Sequence, residues 1–226
     1  MPDFTTVKPS VCEIRVYSRA GNEISLGTGF VFDVKGDLIL DSGLVEMTGS
    51  WSIGFVVDVR PNAWGTAYTE STTFTMNGGK IVSSDGAVRV DSNSSDTYEP
   101  LGVYFTMNGG DIEAVYDAIF IQHRYANKLY VEVNGGNISI FSGNDGINTN
   151  EDGVSVTTIN GGSLSITVTG ETGEGDGIDS NGWLVINGGY VSAFGNENSM
   201  DSGVDSDNGI YINGGTVFAT GNMYDD

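Results

Sequence analysis

Positive charge is almost absent from the C-terminal part of this chain of 226 residues. Its 30 acidic and nine basic side chains give a formal net charge of −21. Residues 1–128 contain all nine Lys and Arg and 16 of the acids, so residues 129–226 carry the other 14 acids with no Lys, Arg or His. Such an acidic protein repels nucleic acid and anionic membranes, which excludes both as partners. A folded segment with many acids and no cations of its own is a candidate for binding a divalent metal, which would supply the missing positive charge.

Other residue types are scarce as well. Cys12 is the one cysteine, which excludes a disulfide framework and a cysteine metal site, and we expect it to be a small apolar residue of an N-terminal strand. His123 is the one histidine, so no Ser-His-Asp set can be argued, and we expect it at the end of a strand. Only four prolines accompany 34 glycines, which excludes collagen and predicts many tight turns.

Long apolar runs are also missing. No stretch approaches the length of a membrane-spanning helix, so we expect no membrane insertion. The first ten residues, MPDFTTVKPS, lack the apolar core of a signal peptide. Two interpretations stay open: the protein is cytoplasmic, or it works outside the cell and its export signal is absent from this chain.

The tripeptide Asn-Gly-Gly recurs at a nearly fixed period. It begins at Asn77, Asn108, Asn134, Asn160, Asn187 and Asn213, with spacings of 31, 26, 26, 27 and 26 residues. The segment LILDSGLVEM places Asp41 at the same point of a degenerate copy. A fixed period of this length indicates a repeat architecture, regular over residues 129–226 and looser before them.

Each period contains three short apolar segments that alternate with a period of two, the pattern of β-strands. Around Asn187 they are residues 184–186, 191–193 and 204–205. Three strands in about 26 residues fit one coil of a parallel β-helix, and the chain has room for roughly seven coils. Asn-Gly between apolar pairs also indicates a two-residue hairpin, so a meander or sandwich stays as an alternative. The regular third strand and the regular period favour the β-helix.

The predicted organisation is an N-terminal cap or strand region at residues 1–28 and a solenoid at residues 29–226. The end at residue 226 shows no cap, so three expectations stay open: truncation, an edge-to-edge dimer or continuation into a longer chain. The strand register predicts one core of inward side chains, namely Ile138, Ile140, Ile147, Ile159, Leu164, Ile166, Ile178, Leu184, Ile186, Val191, Val204, Ile210, Ile212 and Val217.

The turn and the loops before it have different roles. Asn and Gly tolerate positive φ, and stacked turns bring Asn amides into a hydrogen-bonded ladder, so we expect Asn-Gly-Gly to be structural. The loops SGNDGINTNEDG, GETGEGDGIDSNG and NENSMDSGVDSDNG are acidic. Alignment on the apolar residue after glycine predicts two columns on neighbouring coils: Asn148, Asp179 and Asp205 in one, and Asp145, Asp176 and Ser202 in the other.

Stacked carboxylates repel each other by about 1 kcal/mol per pair in water, and by more where water is scarce. Calcium would relieve this repulsion, because it binds six to eight oxygens from carboxylates, amides and backbone carbonyls. Two interpretations therefore stay open for the loops: solvated acidic loops, or loops that hold calcium. The EF-hand pattern and the short period of the nonapeptide β-roll are both absent.

The segments DGIDSNGWLVINGGYVSAFG and SGVDSDNGIYINGGTVFATG resemble repeats of a bacterial secreted family of carbohydrate-binding domain proteins. Its type member is a right-handed parallel β-helix that binds calcium and polygalacturonate, so the resemblance implies this all-β fold, a cell-surface or extracellular location, and calcium-assisted binding of acidic polysaccharide such as pectin without catalysis. It is good over residues 134–222 and loose over 1–133, where the acidic loops are missing. The metal positions that it suggests are Asp145, Asp176, Asp179, Asp201, Asp205 and Asp207, and the predicted metal set also includes Asn148 from its column.

Outward aromatic side chains give a second candidate contact with sugar. The register points Trp183, Tyr190 and Tyr211 outward, together with Phe194 and Phe218, where they either stack on sugar rings or pack against loops. Three function classes remain: a binding protein, a structural stalk or adhesin segment, and an enzyme. A pectate lyase needs a basic residue beside its calcium, and Arg89 and Arg124 lie outside the acidic loops. A hydrolase could use paired carboxylates, but the repeated acids are too alike to divide into an acid and a base.

Overall fold

The computed structural model of the protein describes residues 37–42, 44–47, 55–58, 72–92, 102–123, 128–170 and 175–221. The predicted cap at residues 1–28 and Cys12 lie outside the described residues, as do the last five residues of the chain. Within these ranges the chain forms β-strands and no helix. In particular, the described part of the chain has no helix of the length and hydrophobicity that a membrane span needs.

Nineteen short strands follow one another along the described residues, most of them four to six residues long. They are β1 (Asp37–Leu40), β2 (Leu44–Met47), β3 (Phe55–Asp58), β4 (Thr72–Met76), β5 (Lys80–Ser83), β6 (Val88–Ser92), β7 (Val103–Met107), β8 (Gly110–Ala114), β9 (Ile119–His123), β10 (Leu129–Val133), β11 (Asn137–Ser142), β12 (Ile147–Thr149), β13 (Ser155–Ile159), β14 (Ser163–Val168), β15 (Ile178–Ser180), β16 (Trp183–Ile186), β17 (Tyr190–Phe194), β18 (Gly209–Ile212) and β19 (Thr216–Thr220). His123 ends β9, as predicted.

Three parallel sheets result, because each strand pairs with its equivalent one coil away. The first sheet has the order β1-β4-β7-β10-β13-β16-β18, the second β2-β5-β8-β11-β14-β17-β19, and the third β3-β6-β9-β12-β15. A bridge between Ile178 and Val204 carries the third sheet into the next coil. This architecture is a parallel β-helix and confirms the predicted fold. The hairpin alternative is wrong, because β16 and β17, which flank the turn at Asn187, lie in different sheets.

The Asn-Gly-Gly turn forms the corner between the first and second sheets. Its second glycine has positive φ in all six copies, from 76° at Gly136 to 112° at Gly110. The turns also stack closely, since a Cβ built on Gly189 would lie 2.7 Å from the backbone oxygen of Gly162 in the preceding coil. Glycine is therefore needed here for its conformation and for its small size.

The asparagines of these turns form the predicted ladder. The Nδ2 group of Asn160 donates to Oδ1 of Asn134 at 2.8 Å, and Asn187 donates to Asn160 at 2.9 Å. Asn213 continues the ladder by donating to Asn187 at 2.9 Å. At the other end Asn77 donates to Oδ1 of Asp41 at 2.8 Å, so the degenerate copy at Asp41 is confirmed.

Inward side chains of the three sheets form one continuous core. Ten of the fourteen predicted core residues are buried: Ile138, Ile140, Ile147, Ile159, Leu164, Ile166, Ile178, Leu184, Ile186 and Val191. Val204 and Val217 are partly buried against this core. Burial was wrongly predicted for Ile210 and Ile212, which are 40% and 57% exposed. They belong to the last described coil, so no further described coil covers them.

Candidate functional site

The acidic loops enter the third sheet at one corner of the coil. The backbone N–H of Gly146 donates to the carbonyl of Asp176, and that of Gly177 to the carbonyl of Ser202. These bonds stack Asp145, Asp176 and Ser202 in one column, as predicted. Asp117 extends the column by one coil, since the N–H of Ala118 donates to the carbonyl of Asp145 in the same way.

Carboxylates of this first column bind the backbone of the next coil. Oδ1 of Asp117 accepts the backbone N–H of Asp145 at 3.2 Å, and Oδ1 of Asp145 accepts that of Asp176 at 2.8 Å. Asp176 accepts the N–H of Ser202 in turn. The acids therefore have a structural role that the sequence did not reveal: they hold successive corners together, as the Asn ladder does at another corner.

A second column lies beside the first, on the outer face of the third sheet. Asn148 pairs in register with Asp179. Asp205 follows in the next coil, where its N–H donates to the carbonyl of Ile178 at 2.7 Å. The two columns are joined by Nδ2 of Asn148, which donates to Oδ2 of Asp145 at 2.6 Å. The predicted second column of Asn148, Asp179 and Asp205 is therefore confirmed in its placement.

Two more predicted residues lie at the same corner. Oδ2 of Asp201 accepts the backbone N–H of Gly175 at 2.5 Å. The negative charge of Asp201 is close enough to Asp145 to contribute to the raised pKa of that carboxyl group. The N–H of Asp207 donates to the carbonyl of Ser180 at 3.0 Å. The negative charge of Asp207 contributes to the raised pKa of Asp179. The structure thus brings together all seven residues that the sequence suggested for a metal, and we call this set the acidic corner: Asp145, Asn148, Asp176, Asp179, Asp201, Asp205 and Asp207.

The negative charge of the acidic corner is concentrated and partly removed from water. Burial, then the charge of Asp117, raises the pKa of Asp145 to about 6. Burial, then repulsion from Asp145, Asp176 and two further acids, raises the pKa of Asp179 to about 8. Burial also raises the pKa of Asp117, although Arg89 and two hydrogen bonds oppose it. Acids that looked alike in sequence therefore have different environments, contrary to the sequence argument against a hydrolase.

One buried atom of the corner has no partner in the protein. Asn148 is 8% exposed, and its Oδ1 is a buried side-chain oxygen without a hydrogen bond. A buried carbonyl oxygen left without a donor costs about 1 to 3 kcal/mol. An amide oxygen next to several carboxylates is the ligand chemistry that calcium prefers. This orphaned oxygen supports the fit of the acidic corner to calcium.

Charge alone does not make the corner a finished metal site. In the described ranges, no group of three or more His, Cys, Asp or Glu side chains is arranged to hold a metal ion. Several carboxylates are directed to backbone N–H groups instead. Calcium ligation would therefore combine the Asn148 oxygen with carboxylate oxygens that remain available and with backbone carbonyls.

The structure divides the predicted aromatic residues between two sheets. Trp183 and Tyr211 lie on the outer face of the first sheet, and Tyr190 lies at the start of β17 in the second. Tyr190 and Tyr211 are 50% and 53% exposed, and Trp183 is half-buried. All three point outward as predicted, but Tyr190 is separated from the other two by a turn.

Sequence reasoning missed three residues near these sites. Asp117 lies two residues before the apolar residue of its coil, the same offset as in Asp145, so the segment YDAIF carried the signal. Tyr104 and Tyr130 share the outer face of Trp183, with ring centroids 5.6 Å apart. Their alternation with apolar residues can be read in VYFTM and LYVEV, but these repeats lack the acidic loops that mark the later repeats as a candidate site.

Comparison with known proteins gives one family. The model of the family "Carbohydrate-binding domain-containing protein" matches residues 81–225, more than half of the chain and all of the acidic corner. No curated protein and no solved structure matches the chain. By the extent of this match, the chain belongs to the family of carbohydrate-binding domain-containing proteins.

Proposed function

We propose that the protein is a non-catalytic carbohydrate-binding protein that acts outside the cell or at the cell surface, and that calcium at its acidic corner assists binding of an acidic polysaccharide such as pectin or polygalacturonate. The family supports carbohydrate binding without catalysis as the general role. Calcium, the acidic class of the ligand and the location are the finer parts of the proposal.

The observation that carries the calcium part is the orphaned Oδ1 of Asn148. It lies beside Asp145, whose pKa is raised by burial, and in register with Asp179, whose pKa is raised further. Residues 129–226 contain no Lys, Arg or His that could neutralise these acids. A divalent cation would supply a partner for the amide oxygen and charge for the carboxylates at once.

Calcium also removes an electrostatic difficulty of the proposed ligand. A protein with a net charge of −21 repels a polymer of uronic acids at long range. A calcium ion bound at the corner offsets two of its negative charges, and any ligand position left open can accept a sugar carboxylate. Asn148, Asp179 and Asp205 are the residues that we assign to hold the ion, with Asp145 fixing the orientation of Asn148 through its 2.6 Å hydrogen bond.

Retention on immobilised polygalacturonate tests this function. Wild-type protein should be retained in about 1 mM calcium, the range of weak extracellular sites, and released by chelator. Asp179→Ala and Asp205→Ala should abolish retention. Glu197→Gln is the matched control, because it removes an exposed charge of the same acidic half and should leave retention unchanged. Retention that is equal in calcium and in chelator would contradict the calcium part.

The same assay separates the other function classes. A structural stalk would gain thermal stability with calcium without retention on any glycan. A lyase would release unsaturated products that absorb in the ultraviolet, and a hydrolase would release new reducing ends. Neither product should appear, and the appearance of either with the purified protein would contradict the non-catalytic role.

A further inference from the structure

A row of side chains with three aromatic rings crosses the outer face of the first sheet. Tyr104 pairs in register with Tyr130, Tyr130 with Val156, and Val156 with Trp183. Each of the four alternates with buried neighbours along its strand and therefore points away from the core. Because equivalent strands pair from coil to coil, this row runs along the axis of the β-helix.

Two glycines lie near the ends of the row, and the ring of the tyrosine two residues later in the chain lies against each of them. A Cβ built on Gly102 would lie 2.7 Å from Cε2 of Tyr104, so this ring covers the glycine. At the other end Gly209 follows Trp183 in register, and a Cβ built there would lie 3.6 Å from Cε2 of Tyr211. Tyr211 is in register with Val185 in the adjacent row, and its ring lies beside the Cβ position of Gly209, so it adds a fourth aromatic surface next to the end of the row beyond Trp183. We call Tyr104, Tyr130, Trp183 and Tyr211 the aromatic row.

The surface on one side of the aromatic row carries little charge, whereas Lys128 and Asp207 stand on the other side, two residues before Tyr130 and Gly209. The adjacent outward row contains Thr106, Glu132, Thr158, Val185 and Tyr211 in register, with Glu132 as its one carboxylate. This face therefore offers ring surfaces, hydroxyl groups and weak repulsion, whereas the acidic corner offers carboxylates. Ring surfaces with nearby hydrogen-bonding groups suit pyranose rings, which have apolar faces and polar edges.

The second sheet presents a different surface. Phe141 and Phe194 on its outer face are separated by Thr167 in the same register row. Phe194 packs against Phe218 with ring centroids 5.7 Å apart. Phenylalanine has no polar group to meet sugar hydroxyls, and Tyr190 lies between Ser163 and Thr216 without an aromatic neighbour in its row. The first sheet is therefore the better face for an extended glycan.

We propose that one extended polysaccharide chain lies along the helix axis on the outer face of the first sheet, with its sugar rings against Tyr104, Tyr130, Trp183 and Tyr211. This inference rests on the carbohydrate-binding part of the proposed function and does not depend on its calcium part. It extends the site to Tyr104 and Tyr130, and it leaves Tyr190 outside the site.

The spacing of the rings predicts the length of ligand that binds. Tyr130 and Trp183 are two coils apart, which is about 10 Å at the ordinary distance between strands. This distance is close to the advance of a disaccharide in an extended chain. A monosaccharide can contact one ring only, so affinity should rise with oligosaccharide length and level off when the ligand spans the row from Tyr104 to Tyr211.

Calorimetric titration of oligogalacturonides into the full chain in calcium tests the inference. Tyr130→Ala and Trp183→Ala should each weaken binding about fivefold to tenfold, the value of one aromatic contact of about 1 kcal/mol or slightly more. Tyr130→Phe keeps the ring and should remain within about twofold of wild type. Phe141→Ala is the matched control, because it removes a 46% exposed ring from the second sheet and should have no effect.

Two further measurements test whether the variants are folded and whether the ligand contacts Trp183. The row variants should keep the wild-type rise in melting temperature with calcium, which shows that they fold and that the acidic corner is intact. Ligand-induced change in tryptophan fluorescence should be lost in Trp183→Phe. A calcium-independent wild type whose row variants lose binding would contradict the calcium proposal and support this one.

Other outcomes overturn the inference. Unchanged affinity in Tyr130→Ala and Trp183→Ala, with wild type still bound in calcium, would overturn the aromatic row and leave the proposed function intact. Loss of affinity with Tyr190→Ala alone would move the site to the second sheet. A wild-type protein that binds neither oligogalacturonides nor neutral oligosaccharides of equal length would overturn both proposals.

Discussion

Replacing Asp179 by Asn keeps the size of the side chain and removes its charge. The substitution therefore separates the loss of stability that the buried charge causes from the contribution of this side chain to calcium binding. Burial, then repulsion from Asp145, Asp176, Asp205 and Asp207, raises the pKa of Asp179 to about 8 from 3.8. Without calcium, the folded protein therefore opposes ionisation of this side chain. With calcium, the same charge becomes a favourable ligand.

The sign and size of the effect follow from proton binding. Because the folded pKa lies above the unfolded value, the contribution of Asp179 to stability is complete below pH 3.8 and is lost as the pH rises through about 8. One pKa unit corresponds to about 1.4 kcal/mol, so at pH 7.5 the loss is about 5 kcal/mol at most. Asp179→Asn avoids this loss, and since neighbouring carboxylates relax, we expect a metal-free gain of about 2 to 5 kcal/mol.

Urea unfolding at pH 7.5, in chelator and in calcium, measures both effects. Asp179→Asn should be more stable than wild type in chelator and should gain little from calcium, whereas wild type should gain substantially. Glu197→Gln removes an exposed charge outside the corner and should change stability by about 0.5 kcal/mol or less. A metal-free variant less stable than wild type would refute the electrostatic reasoning. A calcium gain equal to that of wild type would refute the assignment of Asp179 as a ligand.

Three further predictions concern pH, the turns and the ladder. Because the pKa values of Asp145 and Asp179 are raised to about 6 and about 8, the melting temperature of metal-free protein should fall between pH 5 and pH 8.5, and a rise would contradict the pKa directions. Gly189→Ala should cost more unfolding free energy than Gly153→Ala, because both have positive φ but only Gly189 has a backbone atom within 3 Å of the new Cβ; equal costs would refute the stacking argument. Asn160→Ala breaks the ladder on both sides and should cost about 1 to 2 kcal/mol in urea unfolding, and no loss would show that the ladder is only a consequence of the fold.

The fold could be predicted from sequence because a β-helix converts a period along the chain into a distance in space. Each strand pairs with its equivalent one coil later, so the spacing of Asn160, Asn187 and Asn213 is also the register of the sheets. The exposure of Ile210 and Ile212 could not be predicted in the same way. Register places them inward, but burial requires a neighbouring coil, and alternation within a strand carries no information about that coil.

The sequence predicted which residues of the acidic corner lie together, but it did not predict their hydrogen bonds or their pKa values. Stacking alone put Asn148 beside Asp179, because register follows from the repeat. The bonds from Asp145 and Asp176 to backbone N–H groups depend on side-chain rotamers and on the exact bend of each corner. The different pKa values of Asp145 and Asp179 depend on burial and on the surrounding charges, which sequence spacing does not determine.

For the aromatic side chains, too, the sequence predicted one property and not another. Alternation correctly pointed Trp183, Tyr190 and Tyr211 outward. It could not show that Tyr190 lies on another sheet, because that depends on whether the turn at Asn187 reverses the chain into a hairpin or leads it around a corner. The places of Tyr104 and Tyr130 in the row follow from pairings one and two coils away, which become clear only when the sheets are assembled.

Calcium-assisted binding is tested most directly by the dissociation constant for one polygalacturonate oligosaccharide, measured by calorimetry with the wild-type chain in millimolar calcium and again in chelator. If calcium at the acidic corner assists binding, binding should be saturable in calcium and at least tenfold weaker in chelator. Equal affinities in the two buffers would contradict calcium-assisted binding, and an absence of binding in both would contradict an acidic polysaccharide as the ligand.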